Sequence, residues 1–180
     1  MNELADRQNL GRAKNAIQEY LIRQLLVPKI YLDAQWDSER VDVLAIDRAG
    51  VGDVHTVLIA SELPHLVSPA PGNNVTLVSP GGAYLQRLEV VKGLSGHFRY
   101  LASIVDGSRS KDYTAASGLS QGALAPDGVG RVGLLFIDLS ADTPSVKAVI
   151  KAERFRSTPQ VLAVADRYVA EHMANWEVRD

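Results

Sequence analysis

The chain has 180 residues, 46% of them hydrophobic and 22% charged, and a net charge of −2. That length suits one domain, which can bury roughly 70% of the surface its unfolded chain exposes. The absence of cysteine excludes disulfides, thiolate catalysis and Cys-bearing zinc or iron–sulfur sites. The opening MNELADRQNLGRAK is polar and mixed in charge, unlike a secretory leader, and no apolar run approaches the roughly 20 residues of a bilayer span. A cytoplasmic protein without a membrane anchor is expected. The charge is uneven: residues 1–86 hold 7 basic and 10 acidic groups, residues 87–156 hold 10 and 7, and the remainder 2 and 4. A mildly basic face in the middle segment is conceivable, but the net charge does not indicate nucleic acid.

In chain order, Glu3 to Val27 reads as a helix, because Leu10, Ala13, Ile17, Tyr20 and Leu21 recur at spacings of three and four and form one apolar stripe. Pro28 ends it, since a residue preceding proline is pushed out of the helical region. Lys29 to Asp33 is short and alternating, and Ala34–Glu39 looks turn-like. Arg40 to Asp47 (RVDVLAID) alternates as a strand, with Val41, Val43 and Ala45 on one face and Asp42 and Leu44 on the other. A glycine-bearing turn leads to Val54–Ala60 (VHTVLIA), which suggests a hairpin.

Residues 64–83 carry four prolines and three glycines, a loop composition in which Val75–Val78 forms at most a brief extended piece. Ala83 to Lys92 predicts a short helix closed by Gly93. Phe98–Val105 is a strand. Asp106–Gly130 is polar, glycine-bearing and aperiodic, and is expected to be a mobile loop. Val132–Leu139 is a nearly continuous apolar run, as in a strand covered on both faces. Val146–Phe155 predicts a further strand, and Pro159–Trp176 a helix with Val161, Leu162, Ala165, Tyr168, Val169 and His172 on one face. The order predicts an α/β (or α+β) fold: a single three-layer domain over residues 1–180, with a mixed central sheet flanked by helices.

The long helix, RVDVLAID, the turn and VHTVLIA, spanning Gly11 to Ser61, resemble the PD-(D/E)XK, or restriction-endonuclease-like, superfamily. The resemblance implies a helix, a strand hairpin bearing an acidic motif, a helix and a further strand. It also implies Mg²⁺ held by carboxylates, because hard cations take oxygen ligands and lower the pKa of an attacking water. The family pattern has one acid on the first strand, an acid and a lysine two residues apart on the second, and often a glutamate on the first helix. Asp42 matches the first acid. Aligned on VHTVLIA, Leu58 and Ala60 stand where the second acid and the lysine belong. The helical glutamate falls near Lys14 or Asn15, and Glu19 is turned about 160° from the apolar stripe.

Three of four polar positions are thus lost. The resemblance implies a degenerate, inactive metal site and a binding or structural module that takes no cofactor. Such a module would self-associate or assemble with a protein partner of unspecified identity. The alternative is an active Mg²⁺-dependent DNA nuclease in which Asp42 binds the metal together with a displaced acid such as Glu62.

Other motifs read blandly. Gly118–Gly122 fits G-x-S-x-G but lacks the preceding strand and following helix of a nucleophile elbow. Pro80-Gly81-Gly82 lacks the lysine of a phosphate loop. His55, His65, His97 and His172 form no metal-ligand spacing, although His97 with Arg99 and Tyr100 makes a polar cluster at a strand edge. Lys147, Lys151, Arg154 and Arg156 read as a solvated face, and Trp36 and Trp176 as packing anchors.

Overall fold

A computed structural model describes residues 3–47, 52–60, 82–105, 131–156, 159–172 and 176–177. Among them are helices α1 (Glu3–Leu25), α2 (Gly82–Gly93) and α3 (Pro159–Glu171). The strands are β1 (Lys29–Trp36), β2 (Glu39–Ile46), β3 (Val54–Ala60), β4 (Phe98–Val105), β5 (Gly133–Asp138), β6 (Ser145–Ile150) and the two-residue β7 (Trp176–Glu177). One sheet contains all seven strands in the order β6-β5-β4-β3-β2-β1-β7. The β3–β4 and β4–β5 pairs are parallel and the others antiparallel. A mixed sheet between helical layers is the α/β architecture that the element order predicts.

Two apolar cores form because each sheet face is covered. Ala13, Ile17 and Leu21 of α1, all fully buried, pack on Val43, Ala45, Val57, Leu135 and Ile137. On the other face Leu88, Val91 and Leu94, from α2 and its end, join Ala165 of α3 against Trp36, Leu44, Leu58 and Leu101. Every residue of β3 is buried, which explains why its sequence is apolar rather than alternating.

Three expected element bounds change. Ala34–Trp36 is strand rather than turn: β1 and β2 pair from Lys29↔Ile46 to Trp36↔Glu39, leaving Asp37-Ser38 as the hairpin tip. That tip is pinned to the segment after α2, where Trp36 Nε1 donates to the Ser95 carbonyl (2.6 Å) and Ser95 Oγ donates to the Asp37 carboxylate (2.6 Å). The strand expected over 146–155 ends at Ile150. Beyond it, backbone bonds from Glu153 N to the Arg131 carbonyl and from Phe155 N to the His97 carbonyl replace the ladder. The last helix stops at Glu171, and Trp176 lies in a strand beside Ile30. The expected mobile loop 106–130, the extended piece 75–78, Glu62, His65 and both glycine motifs lie outside the described residues.

The alternation expected for β2 also breaks. Val41 and Leu44 belong to the core beneath α2 and α3, whereas Val43 and Ala45 belong to the core beneath α1. β1 does the same: Ile30 and Leu32 face α1, while Tyr31, Ala34 and Trp36 face the opposite side. Both strands change phase at Asp33 and Asp42, the one position between Lys29 and Trp36 where the β1–β2 pairing is interrupted. Asp33 has φ 55°, and a left-handed residue within a strand turns the following side chains to the other face.

Candidate functional site: an ion-paired lysine at the strand switch

Leu10, Lys14, Ile17 and Leu21 follow the four-three-four spacing of a buried helical stripe. Lys14 therefore enters the interface with the sheet and is only 7% exposed. Its ammonium lies 2.7 Å from Asp33 Oδ1 and 3.4 Å from Asp42 Oδ1. The second Asp42 oxygen accepts a hydrogen bond from the Ile59 amide (2.7 Å). That amide has lost its ladder partner, because β2–β3 pairing runs only from Ile46↔Val54 to Val43↔Val57. Asp42 thus supplies by side chain the acceptor that a backbone carbonyl would otherwise give.

Arg40 Nη2 also reaches Asp33 Oδ1, at 2.9 Å. Burial alone would push the Asp33 carboxyl up. The hydrogen bonds and charges of Lys14, then of Arg40, outweigh it and hold the carboxyl below the ordinary aspartate range. The cluster stands beside Ile59, near the carboxyl end of β3. In open α/β sheets the crevice outside the carboxyl ends of the parallel strands is where ligands bind.

The sequence singled out Asp42 and named Lys14 or Asn15 for the helical position, and the fold brings Lys14 and Asp42 together. The β3 register needs correction. Leu58 and Ala60 pack beneath α2 and α3, on the face opposite Asp42. The β3 residues on Asp42's own face are His55, Val57 and Ile59. A fully apolar strand carries no alternation to fix its phase, so its sequence does not distinguish the face of Leu58 from that of Val57. The residues now standing on that face, Val57 and Ile59, are apolar too. Asp33 was missed, since it sat at the end of a presumed short strand. Glu19 is exposed and pairs with Arg23 at 2.7 Å.

An Mg²⁺ site of the kind the resemblance implies does not fit these groups. A hard cation needs several oxygens directed at one point, and here an ammonium stands between the two carboxylates. Among the described residues no three of His, Asp and Glu stand close enough to share a metal ion.

Three other polar places lie apart from this cluster. At the opposite end of β3, Arg154 Nε and Nη2 grip Asp53 Oδ1 at 3.0 and 2.9 Å. Arg154 therefore serves an ion pair rather than a stripe along a strand. Fully buried His97 accepts the Val54 amide on Nδ1 at 2.9 Å, which places the proton on Nε2. Its neighbour Arg99 does not form an edge cluster with it but stacks over Phe155 at 4.0 Å and bonds the Lys92 carbonyl. The third place is a groove of about 870 Å³ between α1 and β6, lined by Arg12, Glu19, Tyr20, Arg23, Asp142 and Lys147 among others. Its charges are of both signs, and Arg12 is engaged with the Ala141 carbonyl.

No protein-family model matches this chain. No curated protein matches it. Among solved structures, a protein of unknown function from Silicibacter pomeroyi is similar over 91% of this chain and 82% of its own, with a TM-score of 0.51 at 14% identity. That likeness shows a shared fold. The structure of Pyrococcus furiosus SfsA in complex with Ca²⁺ aligns over 82% of this chain with a TM-score of 0.36 at 14% identity. This chain spans 65% of the length of that one.

Proposed function

We propose that this chain is a binding or structural module on a restriction-endonuclease-like core, with a degenerate and non-catalytic site. The reading is carried by one observation. Where the resemblance asks for carboxylates converging on Mg²⁺, a buried lysine from α1 bridges Asp33 and Asp42. The element order from α1 through the β2–β3 hairpin to α2 and β4 supports the core assignment. An ammonium can neither activate water as a Lewis acid nor bridge a phosphate to a nucleophile. The apolar Val57 and Ile59 on the same face give no second acid and no free lysine.

The test is direct. The purified chain is incubated with plasmid and with single-stranded DNA in Mg²⁺ and in Mn²⁺. No cleavage is expected with either metal. Cleavage that disappears in Asp42→Ala would overturn the reading in favour of a nuclease that uses Asp42 with an acid such as Glu62.

A further inference from the structure

The disagreement between the expected metal and the observed lysine carries a further step, which rests on the non-catalytic reading above. Two carboxylates side by side in a half-buried place repel each other unless a positive charge lies between them. In this chain the charge is covalently supplied. The Lys14 ammonium sits 2.7 Å from Asp33 and 3.4 Å from Asp42. The other Asp42 oxygen is committed to the Ile59 amide, and Asp33 Oδ1 is shared with Arg40. A soluble cation entering here would have to displace an ammonium whose stem is packed against the sheet, and would then stand beside a like charge.

The backbone is arranged around the same contact. Both strands reverse their faces at this point, and Asp33 takes a left-handed conformation that L side chains adopt only at a cost. Without that reversal Asp33 would share the face of Tyr31, toward α2 and α3.

We infer that Lys14 is a tethered counter-ion: its ammonium takes the place of a soluble cation between Asp33 and Asp42, closes this end of the sheet to divalent cations and holds the β1–β2 face switch in place. Its charge, not its packing alone, is required.

Thermal unfolding of the full chain, in chelator and then with Mg²⁺, Mn²⁺ or Ca²⁺, tests this. The wild-type melting temperature should not move with any of the three ions. Lys14→Met keeps the stem and removes the charge, and should melt on the order of 10 °C lower in chelator. It should recover part of that loss in divalent cation, and adding Asp42→Asn should abolish the recovery. If Lys14→Met does not fold, Lys14→Met combined with Asp33→Asn, which removes one charge of each sign, should restore a cooperative transition. The inference falls if divalent ions raise the wild-type melting temperature, if Lys14→Met melts like wild type in chelator, if it gains nothing from divalent cations, or if the charge-balanced pair fails to restore folding. DNA cleavage by the wild type would instead refute the non-catalytic reading, so the two failures are distinct.

Discussion

Among the described residues three non-glycines have left-handed backbone conformations, Leu26, Asp33 and Asp37, and they illustrate how one local cost is offset or left standing. Leu26 follows α1 where glycine is usual, with φ 55°. It is 77% exposed, so its side chain returns little. Leu26→Gly should therefore raise stability by about 1 kcal/mol, seen as a higher urea midpoint with an unchanged m-value; a lower midpoint would refute the argument. Asp33→Gly relieves the same backbone strain but removes the carboxylate that Lys14 and Arg40 share. It should be destabilising, because the buried ammonium loses the closer of its two carboxylates and keeps only Asp42 at 3.4 Å, which costs more than the backbone gains. His55, 7% exposed and stacked on Phe98 at 4.8 Å, has its pKa pushed down to about 4, chiefly by burial, against the charges of Asp53 and Asp47. A depressed folded-state pKa means that the unfolded chain binds the proton first. Stability should then fall as the pH drops from about 6.5 towards 4, by about 3 kcal/mol from this residue. His55→Phe, which keeps a stacking ring, should flatten the slope of stability against pH in that window. An unchanged slope would show that the histidine is not the source.

At the level of elements, apolar periodicity works where one face is covered and fails where both are or where the phase changes. The stripe of α1 was legible, and its ladder of Leu10, Ile17 and Leu21 also marks Lys14 as a position on the buried side, a lysine where the spacing asks for an apolar residue. β3 is buried throughout, so Leu58 and Val57 are indistinguishable in sequence and the face of the hairpin was misassigned by one residue. β1 was cut short because Asp33 interrupts its alternation. β5 meets a different constraint at Gly133. A Cβ there would lie 2.6 Å from Tyr100 Cδ1 and 2.9 Å from the Ala152 amide nitrogen. The latter is backbone and cannot rotate away. Gly133→Ala should cost about 1–3 kcal/mol by overpacking, measured as a lower denaturation midpoint, and a neutral result would mean that the 151–156 segment yields freely.

For the whole molecule, the sheet order places β3, β4 and β5 in its interior and β6 at an edge. These strands carry residues of both cores, fully buried Leu58 and Leu101 on one face and Leu135 on the other. Their amides should exchange with solvent only through global opening, whereas those of β6, half-exposed along its length, should exchange through local fraying. Hydrogen-exchange mass spectrometry would detect this difference, and equal protection of β6 and β4 would contradict it. The sequence by itself determined the absence of thiol chemistry, the α/β layering and most elements, because composition and apolar spacing act through local geometry and burial that any compact solution must satisfy. It also isolated Asp42. Only the tertiary structure decided which residues meet there. Asp33 and Lys14 lie 19 positions apart, and their contact depends on a left-handed turn inside a strand and on the face to which α1 docks, neither of which has a local signature. That is why Asp42, the acid the sequence offered to a metal, is held in the fold by a lysine and a backbone amide.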